Sequence, residues 1–389
     1  MKVCLINNLY PPDRRGGAEV MVEAIALGLR ELGYEVVVIA LGRQRAVERG
    51  DRMMVYRIRP FNLFSFFSLG ERPLWLRLPW HLLDLFGWSG RQQVKRILKA
   101  ERPALVMTHN LKGVSYLIPR LVRDLGIKHI HTLHDIQLSR PSGLLISGQE
   151  KPFLVLDLQY EKWCRYLFGS PTVVVAPSHW VADYHRTRGF FRRSRWLVLP
   201  NPLPRLDPAP PAVREHPSNH VNLLYLGQLE RGKGILLLLE VLEGLPRTNW
   251  TLRIVGTGSL SVEVRALTAD KPNYRYLGYV KRSGLRAVFN QTDATVVPSL
   301  CYENSPTVIA ESFSCGVPVV AADIGGISEL VEDNVNGFTF APSDPRSLRG
   351  VLLQYLDHPE LLAPLREGAA RTRASFDLKM YLQKMLESA

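Results

Sequence analysis

Two carboxylates eight positions apart, Glu303 and Glu311, stand in the run Pro298-Ser-Leu-Cys-Tyr-Glu-Asn-Ser-Pro-Thr-Val-Ile-Ala-Glu-Ser-Phe-Ser-Cys-Gly-Val-Pro318. At a helical rise they would lie roughly 12 Å apart along the axis, beyond the ~5–9.5 Å at which paired acids flank one glycosidic bond in a hydrolase. The spacing therefore suits separate contacts to two hydroxyl-rich groups, a sugar and a ribose; incidental acids on a solvated helix face are the plainer alternative. The same run punctuates a helix. Ser305 fits the N-cap, Pro306 the first helical position, Gly316 the stop, and Pro318 blocks continuation, which predicts a helix from about Pro306 to Cys315. Its first free N–H groups, at Thr307 and Val308, would open at the carboxyl end of a strand, where the helix dipole favours phosphate. A diphosphate suits that place.

Other residues could complete such a site. Lys233, in the glycine-containing loop Gly227 to Gly234, could neutralise a departing diphosphate as its charge grows in the transition state, or could serve a structural salt bridge. Gly16 and Gly17 allow close backbone approach at the start of a helix, as an ordinary tight turn also would. Gly256-Thr-Gly258 is a weak phosphate signal without the third glycine of a dinucleotide fingerprint. The run His129-Ile-His-Thr-Leu-His134-Asp135 puts His134 at the carboxyl end of a strand; a structural histidine or a three-histidine metal site are its other readings. No Asp-x-Asp occurs in the chain, which favours leaving-group stabilisation without a metal.

These residues need a scaffold, and the chain supplies strands alternating with helical stretches. A βαβ unit opens it: Lys2 to Ile6, a loop from Asn7 to Gly17, a helix carrying Val22, Ile25, Leu29 and Leu32 and stopped by Gly33, then Glu35 to Ala40. Strands are predicted at Leu105 to Thr108, Lys128 to Leu133, Thr172 to Ala176 and Trp196 to Leu199. A second series follows at Val221 to Leu226, Leu252 to Val255, Tyr274 to Leu277, Ala294 to Pro298 and Pro318 to Ala322. Seven prolines between Pro200 and Pro217 break the pattern. The division predicted is 1–203, a Pro-rich linker at 204–219, 220–372, and a last segment 373–389 (about Phe376 to Glu387) packing back on the first domain. Both domains are α/β, with doubly wound parallel sheets of Rossmann-like type.

The 389 residues are enough for two cores, and 46% hydrophobic with 22% charged residues excludes a disordered chain. The formal charge of +13 is lopsided: residues 1–200 hold 30 Lys and Arg against 16 Asp and Glu, and residues 201–389 hold 19 against 20. A basic half fits an anionic partner: nucleic acid, acidic lipid or a phosphorylated substrate. Between Phe61 and Trp88, Phe61, Phe64, Phe66, Phe67, Trp75, Trp80, Phe86 and Trp88 mix with Arg59, Arg72, Arg77 and Arg91, a composition that suits a membrane interface or a helical core equally. Cys4, Cys164, Cys301 and Cys315 lack metal or redox spacing and read as reduced core residues. The opening apolar stretch is too short for a signal sequence, and no run spans a bilayer, so a cytoplasmic protein is expected, soluble or peripheral on the inner membrane face.

Taken together, Glu303 and Glu311 resemble the E-x7-E signature of the retaining GT-B glycosyltransferases of family 4, and Ala321-Ala-Asp-Ile-Gly325-Gly326-Ile-Ser-Glu329-Leu-Val is similar to the segment that follows it. Asn336-Gly337, Asn8 to Glu19, His134-Asp135, Pro200-Asn201-Pro202 and Gly227 to Gly234 match further blocks in order, so the resemblance covers essentially the whole chain. It implies two facing domains with the site between them. It also implies a nucleotide diphosphate sugar as co-substrate, no obligatory cofactor and no metal. Glu303 would hold donor-sugar hydroxyls, Glu311 the ribose, Lys233 the diphosphate, and His134 the transferred sugar. Gly16, Gly17, Gly227, Gly258, Asn304, Ser305, Pro306, Thr307 and Val308 would line the donor. The family usually has arginine where this chain has Gln228, and Arg231 is the expected substitute.

The acceptor expected is a glycan or lipid-linked molecule on the basic first domain, in cell-surface polysaccharide or glycolipid synthesis, with an anionic membrane surface as partner. Two other functions remain open on sequence alone: a sugar-nucleotide epimerase on the same fold, and a non-catalytic sugar-nucleotide or nucleic-acid binder. The last lacks any recognition motif, so nucleic acid is not expected.

Overall fold

A computed structural model describes residues 1–13, 16–150, 155–203 and 220–389. The linker expected at 204–219 lies outside the described residues. The chain divides into two units: Met1–Leu144, Lys151–Pro200 and Leu378–Ala389 form one, and Leu145–Glu150 with Asn201–Asp377 the other.

Among its described residues the first unit is built on an eight-stranded sheet. In chain order the strands are β1 (Lys2–Ile6), β2 (Glu35–Leu41), β3 (Ala46–Gly50), β4 (Met53–Ile58), β5 (Leu105–Thr108), β6 (Lys128–Thr132), β7 (Val173–Ala176) and β8 (Arg195–Val198). Their order across the sheet is β3-β4-β2-β1-β5-β6-β7-β8, parallel except for the antiparallel β3–β4 pair at one edge. β2 is buried from Val36 to Leu41, an unbroken aliphatic run as expected of a parallel strand covered on both faces. The sequence does not announce β3: all five of its residues are exposed, and it has neither an apolar run nor a buried face.

Helix Gly17–Glu31 covers this sheet and carries Met21, Val22, Ile25 and Leu29 into the core. Against it packs Leu378–Ser388, whose Tyr381, Leu382 and Met385 are buried in the same core. The two helices approach closely at Gly28, where a Cβ would come within 2.7 Å of the Leu382 side chain. The returning segment therefore begins at Leu378, later than sequence reading places it. Phe376 stays in the second unit's core, with its ring 6.3 Å from that of Phe313.

The second unit's six-stranded sheet, among the described residues, is wholly parallel. It contains β9 (Val221–Leu226), β10 (Trp250–Val255), β11 (Tyr274–Gly278), β12 (Ala294–Val297), β13 (Val319–Ala322) and β14 (Gly337–Phe340), in the order β11-β10-β9-β12-β13-β14. Strand order reverses about β9, and the crevice at the carboxyl ends of β9 and β12 is where an open α/β sheet takes a ligand. Leu145–Glu150 joins this unit because Tyr302 N–H donates to the Leu145 carbonyl and Ser147 N–H to that of Leu300, a pairing across more than 150 residues that no local pattern signals.

All four cysteines are free thiols, Cys4, Cys164 and Cys301 buried and Cys315 half-buried. Among the described residues no helix is long and apolar enough to cross a membrane.

Candidate active site

Two loops of the second unit meet at its strand-order reversal. The loop after β9 turns at Arg231–Lys233 and passes through Gly234 at φ +73°. A Cβ there would stand 1.7 Å from the Pro298 carbonyl oxygen, so only glycine allows the approach. The Gly232 carbonyl accepts from the N–H groups of Leu300 and Cys301, at 3.0 and 3.2 Å, fixing the turn to the segment after β12. As a result Lys233 Nζ lies 2.9 Å from Glu303 Oε1, and the Ser299 hydroxyl donates to the same oxygen. Burial disfavours the lysine charge, but Glu303 more than offsets this and the pKa of Lys233 ends above its ordinary value. The cation is thus held charged beside an acid that a ligand hydroxyl can engage.

Glu303 is itself placed by Gly325. Its carbonyl accepts from Gly326 N–H at 2.7 Å, and the two strands of chain bridge in parallel at Glu303 and Gly325. The helix that follows spans Thr307–Ser314, with Pro306 at the N-cap and no side-chain cap. This corrects the expected start at Pro306 with Ser305 as cap. The Ser305 hydroxyl is otherwise engaged, accepting from Asn201 N–H at 3.2 Å, while its carbonyl accepts from Asn201 Nδ2 at 3.0 Å. Ile309 N–H closes on the Pro306 carbonyl, and the amides of Thr307 and Val308 form the opening turn, the end of a helix whose dipole favours an anion.

Glu311 is buried inside that helix and ion-paired to Arg282 at 3.0 Å. Burial raises its pKa, and Arg282 partly opposes the rise. Arg282, from the helix Arg282–Asn290, is a candidate that sequence reading misses, since nothing local ties it to an acid 29 positions on. Ser299 is missed as well; its only signal is its place at the end of β12. Arg231 is exposed in the Lys233 turn. The amide of Gly227 continues the sheet to the Val255 carbonyl and that of Gly258 bonds Ser261 Oγ, so both amides are already used, and a Cβ at Gly258 would stand 2.4 Å from the Leu229 carbonyl oxygen.

In the first unit Gly16 N–H donates to the Glu19 carboxylate and Gly17 begins the helix. His134 Nε2 pairs with His109 Nδ1 at 2.9 Å, and burial lowers the His134 pKa to about 4, leaving it neutral at physiological pH. His129 and His131 bond instead to the Thr108 hydroxyl, at 2.7 and 2.9 Å. The three histidines of the run therefore divide between separate partners, and among the described residues no group of three ligands suited to a metal is present. His109 is a further residue missed, although its position directly after β5 is the available signal.

Comparison with known proteins agrees with this architecture. Residues 15–204 match the family model described as Glycosyltransferase Family 4, and residues 220–358 that described as Glycosyl transferases group 1. Glycogen synthase of Mycobacterium tuberculosis is 33% identical over 97% of this chain and 91% of its own. Sucrose-phosphate synthase from Thermosynechococcus elongatus shares the fold at TM-score 0.74 with 19% identity, over 99% of this chain and 97% of that one. Anabaena Alr3699/HepE in complex with UDP does so at 0.69 with 19% identity, over 100% and 99%.

Proposed function

This chain belongs to the group 1 glycosyl transferases of family 4 and is a glycosyltransferase, and we propose that it moves a sugar from a nucleoside diphosphate donor with retention and without a metal. The observation that carries this reading is the Lys233–Glu303 pair beside the Thr307–Ser314 helix at the strand-order reversal. In the transfer the bond between the anomeric carbon and the diphosphate oxygen breaks and a bond to the acceptor oxygen forms. The electron pair leaves with the diphosphate, which takes up the acceptor's hydroxyl proton. Lys233, the Thr307 and Val308 amides and the exposed Arg231 meet the growing negative charge. Glu303 accepts from donor-sugar hydroxyls and Glu311 from the ribose, while neutral His134 offers a hydrogen bond to the transferred sugar.

The acceptor falls to the basic first unit, as a glycan or lipid-linked molecule of cell-surface polysaccharide or glycolipid synthesis met at an anionic membrane face. UDP is the first nucleotide to try, because it is what the HepE structure holds.

Thermal unfolding with UDP-, GDP- and ADP-sugars tests the donor site. One nucleotide class should stabilise the protein, by about 2.7 kcal/mol at a hundredfold excess over Kd, and Glu311→Ala should abolish the effect. Lys233→Ala should lower kcat by about 100-fold or more while leaving folding intact. Stabilisation by no class, or undiminished turnover without Lys233, would refute the reading. Unchanged turnover in Arg231→Ala would remove that residue alone, and an inverted anomeric product by NMR would remove retention.

A further inference from the structure

The first unit holds a cavity of about 720 Å³ at the carboxyl ends of β2 and β4, bounded by Leu41, Ile58, Gly113, the loop Arg59–Phe67 and Trp80. It is a built feature. The loop is pinned by Gln93 on both sides of Arg59, by Phe61 N–H on Ser89 Oγ, and by the Trp80 indole N–H on the Phe64 carbonyl at 2.8 Å. Its ionisable lining is Arg45 and Arg59, with no carboxylate among the lining residues. Arg43 and Arg72 lie over the faces of Phe67 and Phe64, adding cations at the aromatic rim.

Beside it the helix Leu74–Leu85 is turned inside out. Its inward face carries Trp80 and the carboxylate Asp84, both buried, whereas Trp75, Leu78 and Leu82 on the outward stripe are 73%, 55% and 55% exposed. Phe61, Phe86 and Trp88 extend the exposed apolar surface at either end. An apolar stripe facing out, flanked by Arg72, Arg77 and Arg91, has the composition of a helix lying in a bilayer interface over anionic headgroups.

We propose that the Leu74–Leu85 helix seats the first unit on an anionic lipid bilayer and that the adjoining cavity receives the phosphate-bearing headgroup of a lipid-linked acceptor. This rests on the transferase reading above and adds its acceptor class. The cavity opens at the end of β2, and His134 follows β6, three strand spacings away in the same sheet, roughly 14 Å. An acceptor anchored in the cavity therefore reaches His134 with a hydroxyl about one to two sugar rings beyond its phosphate. A lipid with its hydroxyl directly on the phosphate falls short.

Flotation with vesicles tests the surface without requiring turnover. The full chain should float with vesicles of phosphatidylcholine mixed with phosphatidylglycerol, and much less with phosphatidylcholine alone. Trp75→Ser/Leu78→Ser/Leu82→Ser, all at exposed positions, should reduce partitioning by about a hundredfold while keeping the donor-induced thermal shift. Arg45→Gln/Arg59→Gln should keep weak binding but lose the preference for phosphatidylglycerol. Flotation of the triple variant equal to that of the parent, or a dimer in solution that the triple variant dissolves, overturns the proposal. So does an undiminished anionic preference without Arg45 and Arg59. Loss of the donor shift in the parent protein would instead count against the transferase reading.

Discussion

At the scale of single residues, the ion pair between Arg282 and Glu311 sets a clear test. Removing the guanidinium leaves a buried carboxylate without its counter-charge. Because Arg282 is partly exposed, Arg282→Ala should cost about 2 kcal/mol, below the ~3–5 of a fully buried pair, and Glu311→Gln in that background should recover part of it. Urea unfolding of the two variants measures both. Asp84 supplies the pH dependence. Burial lifts its pKa from an ordinary 3.8 to about 7, against the opposing pull of the Gly113 amide. A raised carboxyl pKa means that the folded state holds the proton more tightly. The contribution of Asp84 to stability should therefore fall as pH rises from about 4 to about 7 and level off above, and the difference in Tm between the parent and Asp84→Asn should carry that slope. A slope unchanged by the substitution would mean that other groups set it.

The elements explain what was legible beforehand. Glu303, Lys233 and Glu311 could be singled out as candidates because they stand within short loops and helix punctuation, and parallel strands such as β2 declare themselves as aliphatic runs. Arg282 could not, since its partner lies 29 residues away, and His109, whose partner lies 25 residues on, offers only its position after β5 as a signal. The helix start was displaced by one residue because Asn201 claims the Ser305 hydroxyl, a competition that only the folded chain shows. One glycine ties element to site. Gly325 has φ +61° and ψ −135°, and a Cβ there would lie 2.6 Å from the Glu303 carbonyl oxygen. Gly325→Ala should cost roughly 1–3 kcal/mol through strain and raise KM for the donor by moving Glu303. Wild-type KM and Tm in that variant would show that the loop tolerates the shift.

For the molecule as a whole, the lopsided charge and the outward apolar stripe both belong to the half without the Lys233–Glu303 pair. The proposed donor site and the proposed membrane contact are thus separable by mutation. The Leu378–Ser388 helix gives a complementary test. Leu382 and Met385 are buried in the first unit's core, and losing them should cost about 1.5–3 kcal/mol each. Deleting residues 378–389 should therefore lower the thermal transition of the first unit and spare that of the second; equal loss in both would mean that the two melt as one.

The same helix orders events on the ribosome. β1 is made early in translation, but the face of Gly17–Glu31 around Gly28 stays uncovered until residues 378–389 have been made. The first unit is consequently completed only after the second has been synthesised, and that helix face is open to chaperones and proteases in the interval.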